Sequence, residues 1–282
     1  MWKICLGING FAVLGPIHNV KVTYEEVLEH AVELGYDGIE LDGRDGAGIA
    51  PYPDVHDAAA VAAYARQVTA HGLEVVGIQA GVARGEIGSP DQSRRLEWGR
   101  CAVEQVEFCH AMGGVQCGFW PAMKQPDLPQ DEVVSRMAEA LRPVAARAEE
   151  LDLMTTIEPE AIQLAYNYAL AARVVDAVGS PNFRLIYDCG HAQMLDGDAL
   201  EAVTKYADYI GHVHFCDSDD SNFQNVARHL GAGEGILDLD AILSALRNVG
   251  YDRWVQADVW GHPDPFRASR LLKATIDAFQ AA

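Results

Sequence analysis

The chain of 282 residues predicts an α/β protein folded as a single (β/α)8 barrel, a TIM barrel, with residues 1–282 forming one domain. Three observations carry that reading. Short apolar runs alternate with longer amphipathic stretches eight times along the chain, as strand-plus-helix units do. Most of the apolar runs are continuous, the mark of parallel strands buried on both faces. No Gly-x-Gly-x-x-Gly follows the first run, which argues against an open nucleotide-binding sheet.

Taken in order, the first strand is expected at 3–9, a start too short and wrongly flanked for a signal peptide. A helix at 23–34 opens on Thr23-Tyr24-Glu25-Glu26, the composition of a capping box. Strands then follow at 38–42, 74–79, 114–118 and 154–158, separated by helices at 58–71, 93–112 and 130–151. The second half continues with a helix at 166–178, a strand at 184–188, a helix at 198–206 and a strand at 209–214. A helix at 239–249, a strand at 254–258 and a closing helix at 265–281 complete the set. Gly35, Gly72, Gly113, Gly179 and Gly250 each follow an amphipathic stretch, where a helix end calls for a left-handed residue. The glycine-rich loops after the second, third and seventh strands (43–53, 80–88 and 218–235) would roof the active face as a substrate lid or serve as ordinary surface.

Lys and Arg total 21 against 41 Asp and Glu, a formal charge of −20. Such a field repels a phosphate backbone, so no nucleic-acid partner is expected and a neutral sugar suits the surface better. No apolar run approaches the ~18 residues of a membrane span. The six cysteines contain no Cys-x-x-Cys and read as reduced core thiols of a cytoplasmic protein.

Four of the strands end on side chains able to bind a metal. Glu158, Asp188, His214 and Asp258 follow one another at intervals of 30, 26 and 44 residues, about one strand-plus-helix unit each. Consecutive parallel strands of a closed barrel bring these ends to one rim. Carboxylates with one imidazole make an oxygen-rich donor set for a divalent cation, Mn²⁺ or Mg²⁺ first, with Co²⁺ and Zn²⁺ also workable. Each acid taken singly reads equally well as a helix N-cap. Strand alternation sets Thr156, His212 and Gln256 beneath Glu158, His214 and Asp258, where they would orient the ligands.

The segments IEPE (157–160), YDCGH (187–191), HVHFCD (212–217) and GAGEGILD (231–238), with the last strand's acid, resemble the xylose-isomerase-like TIM barrels. More narrowly, they resemble the branch containing ketose 3-epimerases, inosose dehydratases and hydroxypyruvate isomerases, a likeness that runs from YDGIEL (36–41) to the final helix. It implies metal ligation by Glu158, Asp188, His214 and Asp258, and substrate contact by His191 and Arg228. It also implies a metal-dependent isomerase or epimerase acting on a ketose or related polyol ketone, with a dehydratase using the same site as the alternative. Endonuclease IV shares this barrel, and the negative charge argues against its DNA-repair activity. A non-catalytic sugar-binding barrel is a third reading, and related barrels often pair as homo-oligomers.

A cation stabilises the enediolate formed when a proton leaves the carbon beside a ketone, and carboxylates on either face move that proton. Glu158 and Asp258 are the expected pair. Gln79, Trp120 and Glu160 are further candidates for substrate contact, and Trp260 and Phe11 for an apolar wall. Two departures from the epimerase pattern stand out. Asp258 replaces the usual glutamate, and Leu164 occupies the position of a glutamate six residues beyond the fifth strand's ligand.

Overall fold

The computed structural model describes residues 1–42, 52–82, 84–224 and 226–282. Eight parallel strands close into a barrel. They are β1 (Ile4–Gly7), β2 (Gly38–Asp42), β3 (Glu74–Ala80), β4 (Gln116–Phe119), β5 (Met154–Ile157), β6 (Phe183–Asp188), β7 (Ile210–Phe215) and, after a small hairpin, β10 (Val255–Ala257). Neighbours pair in sequence order, and β10 closes the ring between β7 and β1. The hairpin strands, β8 (Asn222–Phe223) and β9 (Val226–Ala227), pair antiparallel in the loop that follows β7.

The principal helices run on the outside: α2 (Tyr24–Glu33), α3 (Ala58–Thr69), α4 (Gln92–Ala111), α5 (Gln130–Glu150), α6 (Tyr168–Val178), α8 (Ala199–Lys205), α9 (Leu239–Asn248) and α10 (Pro265–Ala281). Each turns an apolar stripe to the sheet, as with Val133, Met137, Leu141 and Val144 of α5, all buried. Removing one such side chain, Leu141→Ala for instance, is expected to cost about 2–5 kcal/mol. Thr23 and Glu26 form the expected capping box on α2. The five helix-end glycines all have positive φ, between 71° and 86°.

The structure departs from the sequence reading in three places. The first strand stops at Gly7, and the rim is then built by α1 (Asn9–Ala12) and a π-helical turn (Leu14–His18). Asn9 is thereby carried into the cavity lining. A short helix, α7 (Cys189–Asp196), follows β6 without a loop, because the Asp188 side chain caps it by accepting from His191 N at 2.6 Å. The β8–β9 hairpin lies in the loop expected at 218–235. The loop expected at 43–53 lies mostly outside the described residues, as do Ala83 and Asn225 in the other two.

Candidate metal centre and cavity

The carboxyl-terminal strand ends bring Glu158, Asp188, His214 and Asp258 together, one potential ligand atom of each lying within 4.8 Å of the others. Asp188 and His214 are register partners on β6 and β7, and His214 is in turn level with Gln256 on β10. His214 Nδ1 lies 2.8 Å from Glu158 Oε1 and 3.2 Å from Asp258 Oδ2, yet neither oxygen meets it in hydrogen-bonding geometry. All four residues are buried. Three buried carboxylates gathered around a single imidazole are costly unless a cation joins them. Ligands at 2.0–2.4 Å from an ion can be at most about 4.0–4.8 Å apart, so the spacing fits a divalent cation.

The surrounding residues fix these groups. Glu158 Oε2 accepts from Gln79 Nε2 at 3.0 Å and from Trp120 Nε1 at 2.9 Å. Gly118 makes the Gln79 contact possible, since a Cβ there would fall 1.7 Å from Gln79 Oε1. Asp258 Oδ1 accepts from Trp260 N at 2.9 Å. The Tyr168 hydroxyl clasps the Asp188 backbone, accepting from its N–H at 2.9 Å and donating to its carbonyl at 3.2 Å.

Beneath His214, Glu40 sits 2.8 Å from His212 Nε2 and 3.4 Å from His214 Nε2, and the Gln256 amide, when oriented with its nitrogen toward Glu40, donates to Oε1 at 2.6 Å. Gln116 donates to Thr156 Oγ1 at 2.8 Å in the same layer. Thr156, His212 and Gln256 therefore occupy the places their alternation predicts. Glu40 and Gln116 are buried in this layer rather than facing the cavity.

The field is strongly coupled. Burial disfavours the Asp188 anion, but the nearby His229 and His191 imidazoles outweigh it and hold the carboxyl below its usual range. Burial opposes the His214 cation as well, and Glu158 with Asp258 more than compensates, raising that imidazole well above its normal value. Burial and the Glu158 charge push Glu160 up to about 8, so its carboxyl is largely protonated near neutrality. Burial holds His191 below its usual value, although Asp188 pulls the other way. Burial raises the Cys189 and Cys216 thiols, leaving both protonated and poor nucleophiles.

A cavity of about 500 Å³ opens over the cluster. Glu158, Asp258, Glu160, His191, Gln163 and His229 supply much of its polar wall, while Trp98, Trp120 and Trp260 supply much of its apolar wall. Among the expected substrate contacts, His191, Trp120 and Glu160 thus reach the cavity. Gln79 lies one layer behind, reaching it through Glu158. Phe11 is buried against Phe266 and not in the lining. Arg228 is not brought to the cavity: its guanidinium is half exposed and sits 3.2 Å from Asp219 Oδ2.

The neighbouring His229 enters instead. Burial disfavours its cation, but Asp188, whose Oδ2 is 3.3 Å from Nε2, and Asp258 raise it to about 9. The loop that places it is pinned by Asp217, whose carboxylate accepts from Gly233, Gly235 and Leu237 N–H groups. Gly235 permits that approach, as a Cβ there would lie 2.3 Å from Asp217 Oδ1. The GAGEG segment is therefore a structural anchor. The signal for His229 was its place just before that anchor, beside the arginine the resemblance favoured.

A parallel barrel with a buried carboxylate–imidazole cluster at its carboxyl-terminal rim defines a TIM-barrel protein with a candidate metal centre. The chain belongs to the xylose isomerase-like TIM barrel family, whose model matches residues 28–281. It is 24% identical to the hydroxypyruvate isomerase of Escherichia coli (strain K12) over 235 residues, covering 80% of this chain and 84% of that protein. It is also 24% identical to an inosose dehydratase of Lacticaseibacillus casei over 213 residues, covering 64% of this chain and 71% of that protein. An L-ribulose 3-epimerase structure superposes with a TM-score of 0.78 at 20% identity, covering 100% of this chain and 95% of that one. The related proteins are thus enzymes: isomerases, epimerases and dehydratases. A structure of the IOLI protein with a bound zinc atom shares the fold, with a TM-score of 0.74 at 18% identity over 99% of this chain and 96% of that one.

Proposed function

We propose that this protein is a divalent-metal-dependent isomerase or epimerase acting on a ketose or related polyol ketone. The observation that carries the reading is the convergence of Glu158, Asp188, His214 Nδ1 and Asp258 beneath a cavity whose walls mix carboxyls, imidazoles and indoles. A cation held by these four residues would supply electrostatic stabilisation of the negative charge that develops on a substrate carbonyl oxygen. Mn²⁺ or Mg²⁺ suits the three carboxylates, and Co²⁺ and Zn²⁺ are compatible with the imidazole.

Within this reading Glu158 and Asp258 are the groups that take and return the proton beside the carbonyl. Gln79 and Trp120 hold Glu158 in one rotamer, so its carboxylate is positioned before substrate arrives. His191 and Glu160 face the substrate hydroxyls, with Glu160 as a donor in its protonated form. The indole rings of Trp120 and Trp260 offer apolar surface to a sugar's C–H face.

Glu160 also favours a second reading, a dehydratase. A buried, protonated carboxyl beside His191 is equipped to give a proton to a departing β-hydroxyl. A panel of ketoses and inososes, incubated in D₂O with metal-reconstituted protein, separates the two. Deuterium incorporation without loss of water is expected from the isomerase or epimerase. A new enone or dione absorbance would instead assign the dehydratase, and inertness of the loaded protein toward the whole panel would overturn both.

A further inference from the structure

With a polyol ketone as the occupant, as proposed for this cavity, we infer that two buried amides, Asn9 and Gln163, grip it from opposite walls. Together they require an uncharged, donating hydroxyl on the Gln163 side and an accepting hydroxyl oxygen on the Asn9 side. The proposed proton transfer uses neither residue. Strands β1 and β5 stand four places apart in the closed ring of eight, so their carboxyl-terminal loops face each other across the mouth. Asn9 follows β1, Gln163 follows β5, and both residues line the cavity. Asp258 follows β10, the neighbour of β1, and Glu158 follows β5. A substrate spanning the two amides therefore has its middle carbons between the two carboxylates.

Each amide is held in place and leaves one atom unused. Asn9 Oδ1 accepts from Gly10 N at 2.8 Å, and among the described residues no hydrogen bond engages its Nδ2. Its seat is tight, since a Cβ on Gly10 would fall 2.6 Å from the carbonyl oxygen of Val259, the residue after Asp258. Gln163 is pinned by the facing loop, where it forms a β-bridge with Met123. On either side Lys124 N donates to Ile162 O and Leu164 N to Ala122 O, both at 2.7 Å. Gln163 Oε1 is buried and has no partner among the described residues. Asn9 is only 6% exposed and Gln163 7%, so the protein leaves these two atoms to whatever occupies the cavity. A substrate unable to bond them is rejected.

The two atoms are complementary. Asn9 Nδ2 only donates, and with the substrate carbonyl beside the metal cluster the oxygens left for it are hydroxyls. Gln163 Oε1 only accepts, so it meets a hydroxyl that donates. An ionised phosphate or carboxylate oxygen would face it lone pair to lone pair. Glu86 and Glu160 also line the cavity, and among the described residues its lining holds no lysine or arginine. Amide and carboxyls together select a free polyol against a ketose phosphate or a keto acid.

Trp120 and Trp260 in the wall make tryptophan fluorescence a gauge of occupancy. It gives Kd on the metal-reconstituted protein for D-tagatose, D-fructose and their monodeoxy analogues. Gln163→Leu should weaken the better-bound ketose about 10–100-fold, yet weaken one monodeoxy analogue less than about twofold, because that analogue has already lost the bond. Asn9→Ala should do the same with an analogue deoxygenated at a different carbon. Equal penalties across all analogues would make the amides merely structural and overturn the inference. Circular dichroism checks folding. Should a variant fail to fold, two monodeoxy analogues must still bind the wild type about tenfold more weakly than the parent, and their absence would overturn the inference. A phosphate monoester at the hydroxyl Gln163 reads, bound as tightly as the free ketose, would overturn the requirement for an uncharged group. Penalties as expected, with no deuterium exchange into any ketose, would leave the grip standing and overturn the proposed reaction. No binding of any ketose would overturn both.

Discussion

The two halves of the barrel contribute to the site in different ways. Strands β5, β6, β7 and β10 end on Glu158, Asp188, His214 and Asp258, the groups that converge. Strands β2 to β4 and the segment after β4 contribute Glu40, Gln79, Gln116 and Trp120, which bind those groups or their supports. One half carries the groups that converge; the other fixes where they point. Glu158 shows the division most clearly, held at Oε2 by two donors from the opposing half while Oε1 faces His214. Asp258 is shorter and has its Oδ1 held from its own loop, by the Trp260 N–H. The two carboxylates proposed for proton transfer are therefore unequally braced, which makes Asp258 the more adaptable of the pair.

The largest effects should follow from changes in the reactive half. Glu158→Gln and Asp258→Asn are each expected to lower kcat by about 10²–10⁴-fold without unfolding the barrel, as assayed by turnover and thermal melting. Full activity in either variant would remove that residue from proton transfer. Loading the chelator-stripped protein with Mn²⁺ at a hundred times its Kd should add about 2.7 kcal/mol of stability. For chains approaching this size that is a rise in Tm of several degrees, on the order of 2–4 °C per kcal/mol. Asp188→Asn should abolish most of the rise. A wild-type melt indifferent to metal would mean that the cluster does not bind the ion.

Changes in the bracing half should be smaller and graded. Gln79→Ala and Trp120→Phe each remove one donor from Glu158 and are expected to cost about 10–100-fold in metal affinity or activity. Gly118→Ala should have a similar effect without touching Glu158, because its new Cβ would displace Gln79. Calorimetric titration of Mn²⁺ into the three variants checks this. Unchanged affinity in all of them would show that the two halves are energetically independent.

The comparison also explains what could be read from the sequence. Strand ends at one rim are a consequence of topology, so Glu158, Asp188, His214 and Asp258 were visible from spacing once a barrel was assumed. The layer beneath followed from alternation, which put Thr156, His212 and Gln256 on the inner face. Contacts across the barrel were not visible in this way. The pairing of Glu40 with His212 and His214, and of Gln79 with Glu158, joins residues far apart in sequence through side-chain reach rather than period. Loop geometry was hidden for a different reason. Asp188 is both a strand end and the cap of α7, and no loop composition announces that helix. His229 depends on the Asp217 anchor and the β8–β9 hairpin, neither of which leaves a periodic trace.

The smallest expected effect separates two adjacent residues of that loop. The family resemblance assigns substrate contact to Arg228, whereas the structure turns its guanidinium outward to Asp219 and gives the cavity to His229. An exposed ion pair of this kind contributes about 0–1 kcal/mol. Arg228→Ala is therefore expected to change stability by less than about 0.5 kcal/mol and KM by less than about threefold. His229→Ala, by contrast, removes one buried partner of Asp188, and a loss of about 1–3 kcal/mol is expected. Steady-state kinetics on both variants tests the assignment. A rise in KM of tenfold or more for Arg228→Ala, with kcat retained, would show that the guanidinium turns inward when substrate binds, and that a role in the bracing of Asp188 and a role in substrate contact are divided between neighbouring positions.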